Sequence, residues 1–216
     1  MRIITGTARR YQLKTPKSEL RPTMDKVRGA VYSTLELGLH LDLKTARMLD
    51  LFSGSGSYGI EALSRGAKQV DFVEMEPEAI DCIRHNLKGT KLEERGKVHP
   101  QDVFTWLNQF ARDRRTGQGM YDLVIADPPY ERPPRDGTQP PADAVERLLS
   151  GPWDRMLTTH GLLVIEQAIE RDIDEVPGLE ILRFRRYGKT VVIYYALPGA
   201  YVTKDDSDTN EETVSV

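Results

Sequence analysis

The sequence has a single cysteine and no long apolar run, and each of these absences excludes a class of protein. Cys82 has no second cysteine to pair with, so an internal disulfide is excluded and a reducing, cytoplasmic location is expected. No stretch of about 18 apolar residues could form a transmembrane helix. Residues 1–5 lack the apolar region of a signal peptide. The four histidines show no metal-ligand spacing, so we expect no bound metal. Because a long apolar run is lacking, we also expect no membrane partner.

Basic residues are concentrated at one end of the chain, although the net charge is only −3. Residues 1–28 contain eight Lys and Arg against two acidic residues, whereas residues 201–216 contain one Lys and five acidic residues. A basic segment on an otherwise acidic protein indicates contact with nucleic acid, although charge alone is equally compatible with a solvated surface.

Segments typical of strands and helices alternate from residue 46 onward. We predict strands at Arg47–Phe52, Gln69–Glu74, Lys97–His99, Tyr121–Ala126 and Gly161–Glu166, and helices at 58–65, 77–88, 102–112 and 142–157. Such alternation predicts an α/β fold with a parallel sheet between two helical layers. Two further β segments, Leu179–Tyr187 and Thr190–Leu197, flank Gly188-Lys189 and predict a terminal hairpin, so one late strand must run antiparallel.

Three regions are predicted along the chain. Residues 1–40 form a basic extension, with a hairpin made from residues 2–5 and 11–14 and a helix that Thr23 caps and that ends near Gly38. Residues 41–199 form the main domain. Residues 200–216 are polar, acidic and without periodicity, and we expect a disordered tail there.

The stretch Asp50–Gly59 is predicted to be a ligand-binding turn between a strand and a helix. Gly54, Gly56 and Gly59 match the spacing G-x-G-x-x-G, and glycines allow backbone N–H groups to approach a ligand closely. A pyrophosphate would gain nothing from the carboxylate of Asp50. The acid instead favours a cofactor that carries a positive charge or an ammonium group.

Acids also follow the next two predicted strands, at the edge where ligands bind in open α/β sheets. Glu74 lies 20 positions after Gly54 and is expected to accept both hydroxyls of a ribose, with Glu76 as the competing candidate. Asp102 is expected either to accept from an adenine amino group or to cap the helix that begins at residue 103.

The fourth predicted strand ends in Asp127-Pro128-Pro129-Tyr130. Two prolines make this segment rigid and remove two N–H donors. A carboxylate and an outward carbonyl would accept the two hydrogens of an exocyclic amine while the Tyr130 ring stacks on the base. Hydrogen bonds to those hydrogens would restore electron density at a nitrogen that is otherwise a poor nucleophile.

These motifs resemble the class I S-adenosylmethionine-dependent amino-methyltransferases, and other segments narrow the resemblance to the bacterial 16S rRNA (guanine-N2)-methyltransferase family. The narrowing segments are Met1–Gly6, Leu13–Pro16, Arg21–Arg28, Leu49–Gly56, Glu61–Ala67, Phe72–Glu74, Asn86 and Tyr187–Thr190. The resemblance spans residue 1 to about residue 197. It implies a Rossmann-like, seven-stranded and mostly parallel sheet with an antiparallel terminal strand.

The resemblance also implies a cofactor, a substrate and site residues. S-adenosyl-L-methionine would be surrounded by Asp50, Ser53, Gly54, Gly56, Glu74 and Asp102, and the guanine N2 would be held by Asp127, Pro128 and Tyr130. Arg9, Arg10, Arg21 and Arg28 would contact 16S rRNA, either naked or within a 30S subunit or assembly intermediate, and the protein would act as a monomer. The sequence departs from the family pattern at Ser53, Ser57-Tyr58, Gly29, the Pro-rich loop 131–141 and the acidic tail.

Three other functions stay open at this point. An adenine-N6 methyltransferase acting on RNA or DNA would use the same Asp-Pro-Pro-Tyr element. A nicotinamide-dependent oxidoreductase would account for the glycine spacing, but not for Asp50 or the terminal hairpin. A non-catalytic RNA-binding module would have no need of the acid, prolines and aromatic ring at 127–130.

Overall fold

A computed structural model describes residues 1–17, 24–113, 119–129 and 143–201. In chain order its elements are α1 (Met24–Ser33), β1 (Arg47–Leu51), α2 (Ser57–Arg65), β2 (Gln69–Glu74), α3 (Pro77–Thr90), β3 (Gly96–Pro100), α4 (Val103–Arg112), β4 (Tyr121–Ala126), α5 (Ala144–Leu149), α6 (Trp153–Met156), β5 (Leu157–Ala168), β6 (Glu180–Tyr187) and β7 (Thr190–Ala196). A π-helical turn, Thr34–Gly38, extends α1, and a short 3-10 turn, Glu93–Arg95, precedes β3.

The described strands form one seven-stranded sheet in the order β3-β2-β1-β4-β5-β7-β6. The neighbours from β3 to β5 pair in parallel, whereas β7 pairs antiparallel with both β5 and β6. This confirms the predicted parallel sheet and terminal hairpin. The order reverses between β1 and β4, and ligands in open α/β sheets bind at the carboxyl ends of the strands near such a reversal.

Helices cover both faces of the sheet and bury two separate sets of apolar side chains. One face packs against α1, α2 and α3, with Tyr32, Leu63 and Ile83 in its core. The other face packs against α4, α5 and α6, with Trp106 and Trp153 in its core. Burial of a large aromatic side chain stabilises such a layer by about 1.5–3 kcal/mol. Among the described helices, none is long and apolar enough to span a membrane.

The predicted helix at 142–157 is wrong, because the described part of this segment contains two short helices, α5 and α6. Pro152 lacks the N–H that a continuous helix needs at that position. Trp153 then turns inward, is fully buried, and donates from Nε1 to the backbone oxygen of Leu148 at 2.8 Å. Strand β5 therefore begins at Leu157 rather than at Gly161, with an irregularity in its pairing to β4.

The predicted N-terminal hairpin is present but short, with an antiparallel bridge between Arg2 and Gln12 and a backbone hydrogen bond from Ile3 to Tyr11 at 3.0 Å. A side chain of the main domain binds further backbone groups of this segment. The amides of Ile4 and Thr5 donate to the carboxylate of Glu61 at 2.8 and 3.0 Å. Ile3 and Leu13 join the core that covers the sheet, so this segment packs as part of the main body.

Asn86 on α3 fastens the end of the same segment to the glycine turn. Its Oδ1 accepts from the amide of Lys14 at 2.8 Å, and its Nδ2 donates to the backbone oxygens of Lys14 and Ser55 at 2.8 and 3.0 Å. The side chain is fully buried. Because buried amides need partners, these bonds fix Lys14 against the turn. The predicted cap Thr23 and the tail from residue 202 lie outside the described residues.

Candidate active site

The turn after β1 adopts the left-handed backbone conformation that its sequence requires. Gly54 and Gly56 have φ angles of +53° and +77°, and Phe52, which is not glycine, has φ of +56°. Left-handed conformations cost little for glycine and more for residues with a Cβ. The turn leads into α2 with Gly56 as the residue that precedes the helix.

Asp50 connects the end of β1 to the first turn of α2 through a hydrogen bond. Its side chain is buried, and Oδ2 accepts from the amide of Gly59 at 2.9 Å. A carboxylate at the first turn of a helix is stabilised by the partial positive charge of the helix N-terminus. The acid that the sequence assigned to a positively charged cofactor thus binds the protein's own backbone here, and its contact with the cofactor stays a prediction.

Ser53 connects the ends of β1 and β2. Its hydroxyl donates to the backbone oxygens of Asp50 and Val73 at 2.7 and 3.2 Å, and its amide donates to Val73 at 3.3 Å. The side chain is buried. Ser53 therefore shapes the turn through its own hydrogen bonds.

Glu74 accepts backbone N–H groups from the glycine turn and from the two residues that follow Glu74 in the chain. Oε2 accepts from Gly54 at 2.8 Å, and Oε1 accepts from Met75 and Glu76 at 2.7 and 2.9 Å. Each carboxylate oxygen has two acceptor positions, so ribose hydroxyls could share or replace these donors. The structure brings Gly54 and Glu74 into direct contact, whereas the competing candidate Glu76 contributes its backbone amide.

Asp102 caps α4. Its Oδ1 accepts from the amide and the hydroxyl of Thr105 at 2.8 and 3.0 Å. Of the two roles that its position in the sequence allowed, the helix cap is therefore confirmed. The adenine contact stays a prediction, and it would use the other carboxylate oxygen.

The Asp-Pro-Pro element lies beside the glycine turn. Leu51 pairs with Ala126, so Asp127 follows β4 at the level where the turn follows β1. Asp127 is half-buried, Pro128 is buried and Pro129 is exposed. The predicted stacking residue Tyr130 and the Pro-rich loop 131–141 lie outside the described residues. The structure thus brings together the two parts of the site that the sequence left 77 positions apart, from Asp50 to Asp127.

Two buried side chains near Asp127, those of Tyr58 and Glu166, were not predicted as site residues from the sequence. The hydroxyl of Tyr58, at the start of α2, donates to Oε2 of Glu166 on β5 at 2.8 Å, and both side chains are buried. Burial raises the pKa of Tyr58 well above its usual value, and the negative charges of Glu166 and Asp127 raise it further. Glu166 ends the fifth predicted strand, so the rule that found the other acids at strand ends could have found it.

We expect Tyr58→Phe to lower the free energy of unfolding by about 1–3 kcal/mol, because the buried Glu166 carboxylate loses a donor. The control is Tyr201→Phe, which removes a hydroxyl that donates to the backbone oxygen of His160 in an exposed position. Urea unfolding of both variants measures the difference. Equal, small losses in the two variants would contradict a stabilising Tyr58–Glu166 bond.

The predicted RNA-binding arginines fall into different environments. Arg9 and Arg10 are exposed. They follow Thr7 and Ala8, whose amides donate to Ser64 near the end of α2, which is the end farther from the glycine turn. Arg21 lies outside the described residues.

Arg28 is only 1% exposed, and this placement does not fit the predicted RNA contact. Its Nη2 donates to the backbone oxygen of Arg2 at 2.6 Å and to Asp25 at 2.8 Å. Its Nε lies 3.8 Å from the buried carboxylate of Glu61. A guanidinium held in this way cannot reach a phosphate, so Arg28 instead fastens α1 to the N-terminal segment and α2.

Among the described residues, no group of three or more His, Cys, Asp or Glu side chains could hold a metal ion. The strand order, the glycine turn after β1 and the Asp-Pro element after β4 define a Rossmann-like class I methyltransferase fold. The chain belongs to the family described as Conserved hypothetical protein 95, whose model matches residues 1–196.

Relatives of this chain are named as rRNA methyltransferases. The Bacillus subtilis protein named "Putative rRNA methyltransferase YlbH" is 33% identical over 201 residues, which cover 92% of this chain and 100% of that protein. The Escherichia coli protein named "Ribosomal RNA small subunit methyltransferase D" is 29% identical over 82% of this chain and 80% of its own length. The solved structure of "Putative methyltransferase yhhF from Escherichia coli" is 27% identical with a TM-score of 0.70, and the match covers 91% of this chain and 97% of that one.

Proposed function

We propose that this protein is an enzyme that transfers the methyl group of S-adenosyl-L-methionine to the exocyclic N2 of a guanine in 16S rRNA, at a site of the guanine 966 type. The pairing of Leu51 with Ala126 carries this proposal, because it places the glycine turn and Asp127 side by side at the reversal of strand order. Membership in a family with relatives named for small-subunit rRNA supports the substrate.

The residues of the turn fit S-adenosylmethionine. The left-handed turn at Gly54 lies beside Glu74, which supplies carboxylate oxygens for ribose hydroxyls. A Cβ on Gly56 would meet Ile60, Ile83 and Phe72 at 3.2–3.3 Å, so this glycine lets the turn pack closely on the core. Asp50 and Ser53 would hold the shape of the turn, and Asp102 would approach the adenine. When bound, the cofactor supplies a methyl group made electrophilic by a positively charged sulfur.

Asp127 would act on the guanine rather than on the cofactor. Its carboxylate would accept one hydrogen of N2 and the carbonyl of Pro128 the other, which raises electron density at nitrogen and orients its lone pair. As N2 gains a bond to the methyl group and the bond from that group to sulfur breaks, N2 would have to lose one proton, which the Asp127 carboxylate or solvent would accept. Tyr130 is proposed to stack on the base, which must leave its own stack to reach the site.

The remaining proposals concern the substrate's context. We propose that the enzyme acts in the cytoplasm, as a monomer, on 16S rRNA within a 30S subunit or assembly intermediate. Exposed Arg9 and Arg10 are proposed to bind phosphates, with affinity that falls as salt rises.

Labelled methyl transfer to naked 16S rRNA, assembled 30S particles and DNA, followed by nucleoside analysis, tests the function. The expected product is N2-methylguanosine in 16S rRNA. If the product is N6-methyladenosine, the enzyme is an adenine-N6 methyltransferase instead. If this product forms in DNA, rRNA is excluded as the main substrate. No binding of S-adenosylmethionine in calorimetry, with tight binding of a nicotinamide cofactor, would overturn the proposal altogether.

Glu74→Ala is expected to weaken S-adenosylmethionine binding by about 10- to 100-fold, because hydrogen bonds to a charged group are worth about 1.5–3 kcal/mol. The substitution removes both the proposed ribose contact and the bond to the Gly54 amide. Calorimetry of the purified protein measures it. Glu78→Ala, which removes an exposed acid on the first turn of α3, is the control. Equal affinities in the two variants would contradict the role of Glu74.

A further inference from the structure

The hairpin formed by β6 and β7 reaches the same edge of the sheet as the candidate active site. Ala168, the last residue of β5, pairs with Thr190, so the turn Gly188-Lys189 lies beyond the carboxyl end of β5. The amide of Ile169 donates to the backbone oxygen of Lys189 at 3.0 Å, which fixes the turn at that level. The sequence places this hairpin last in the sheet, but does not show that its turn faces the substrate side.

Apart from Glu180 at the start of β6, the charged residues of the hairpin are all basic. Residues 181–196 contain four basic residues, Arg183, Arg185, Arg186 and Lys189, and no acidic residue. Lys189 and Gly188 are exposed, and the three arginines are half-buried. Because β6 is the outermost strand of the sheet, these charges also lie at an edge that no other described strand covers. Such a concentration of positive charge suits a polyanion.

Register connects the hairpin to Asp127. Asp127 and Glu166 directly follow the paired residues Ala126 and Ile165. Glu166 pairs with Val192, and Val192 pairs with Arg185. Paired residues in neighbouring strands point to the same face of a sheet. The side chains of this row therefore share one face: Asp127, Glu166, Val192 and Arg185. Three strand spacings of about 4.8 Å place Arg185 about 14 Å from Asp127.

The side chains of the hairpin are packed in ways that hold the charges in place. The Arg186 guanidinium lies over the ring of Phe184, 5.8 Å from its centroid. Arg185 donates from Nη1 to the backbone oxygen of Phe184 at 3.1 Å. Guanidinium groups restrained in this way lose less entropy when they bind a phosphate than fully mobile ones do.

We propose that the β6–β7 hairpin binds phosphates of the rRNA strand that flank the target guanine. The inference rests on the proposed function, and it adds a second RNA contact. This contact lies on the substrate side of the sheet, unlike Arg9 and Arg10 near the far end of α2. The hairpin would hold the strand while its guanine enters the site beside Asp127.

The test compares two triple variants with the same loss of charge. Arg185→Gln/Arg186→Gln/Lys189→Gln removes three charges from the hairpin, and Arg84→Gln/Lys88→Gln/Lys97→Gln removes three exposed charges from α3 and the opposite edge strand β3. Binding of each to 16S rRNA is measured over a range of salt concentrations. The hairpin variant is expected to bind at least about tenfold more weakly. Its log–log salt slope should fall by about 2, since each lost phosphate contact contributes about 0.7–0.9.

Two further measurements distinguish a loss of rRNA binding from damage to the cofactor site. Calorimetry should show unchanged S-adenosylmethionine binding by the hairpin variant, and methyl transfer should show a raised KM for rRNA with kcat largely kept. If the triple hairpin variant does not fold, the single variant Lys189→Glu takes its place, because it changes only an exposed turn residue. It should weaken rRNA binding severalfold.

Equal salt slopes and affinities in the hairpin and control variants would overturn the inference. If the wild type methylates 16S rRNA and the two variants behave alike, only the hairpin contact fails. If the wild type transfers no methyl group to rRNA, the proposed function itself fails.

Discussion

Asp127→Ala should reduce methyl transfer to 16S rRNA by about 10²–10³-fold, the usual effect of removing one positioned hydrogen-bonding group that acts on the reacting atom. Asp127 lies beside the glycine turn, because Ala126 pairs with Leu51. Its proposed partner is the guanine N2, whereas the ribose of the cofactor is assigned to Glu74, whose Oε2 accepts from Gly54. The loss should therefore fall on kcat, while S-adenosylmethionine binding in calorimetry stays near the wild-type value.

Asp127→Asn separates hydrogen bonding from charge. The asparagine side-chain oxygen still accepts one hydrogen from the amine, but it cannot take up the proton. We expect methyl transfer by this variant to lie between that of the wild type and that of Asp127→Ala. Asp172→Ala removes an exposed acid after β5 and is the control, with activity unchanged. Near-normal methyl transfer by Asp127→Ala would show that another group holds the amine.

Gly59→Ala is expected to destabilise the fold by overpacking its core. A Cβ at this position would lie 2.3 Å from Cε1 of Phe72 and 2.8 Å from Cγ1 of Val70, closer than real Cβ contacts occur. Both side chains belong to β2 and are fully buried, so neither can move aside without displacing the core. Overpacking of this kind costs about 1–3 kcal/mol of unfolding free energy. Urea unfolding should show a lower midpoint.

The same substitution should weaken cofactor binding. The Gly59 amide donates to Asp50, so a shift of α2 away from β2 would pull on the acid beneath the turn. Gly29→Ala is the matched control, because Gly29 also lies inside a helix but its Cβ would meet only the flexible end of Ile4, at 3.3 Å. There alanine's higher helix propensity should leave stability unchanged or raise it by up to about 1 kcal/mol. Similar losses in both variants would contradict the packing argument.

Local patterns determined much of the fold. The predicted strands Gln69–Glu74 and Tyr121–Ala126 match the structure at both ends, because each is a buried apolar run bounded by polar or turn residues. The terminal hairpin was predictable because the turn residues Gly188-Lys189 lie between two segments typical of strands. The helix at 142–157 failed because strand and helix patterns overlap there and Pro152 ends one helix before another begins.

Side chains that bind the protein's own backbone could not be assigned from the sequence. Arg28 counts as a surface charge by type, yet it is buried, with its Nε 3.8 Å from Glu61 on α2. Tyr58 and Glu166 are 108 positions apart and meet only because the start of α2 and the end of the parallel part of β5 come together on one face of the sheet. Which donor a carboxylate finds depends on which elements the topology places next to it.

By itself, the sequence determined the two motifs, their places at strand ends and the family they resemble. Residue types and short spacings are enough for this, because turns and strands form from local preferences. Only the tertiary structure decided that Asp50 and Glu74 hold the glycine turn and that Arg28 is buried. It also decided that the basic β6–β7 hairpin shares an edge with Asp127. These relations arise from strand pairing and side-chain contacts between distant segments, and no local pattern encodes them.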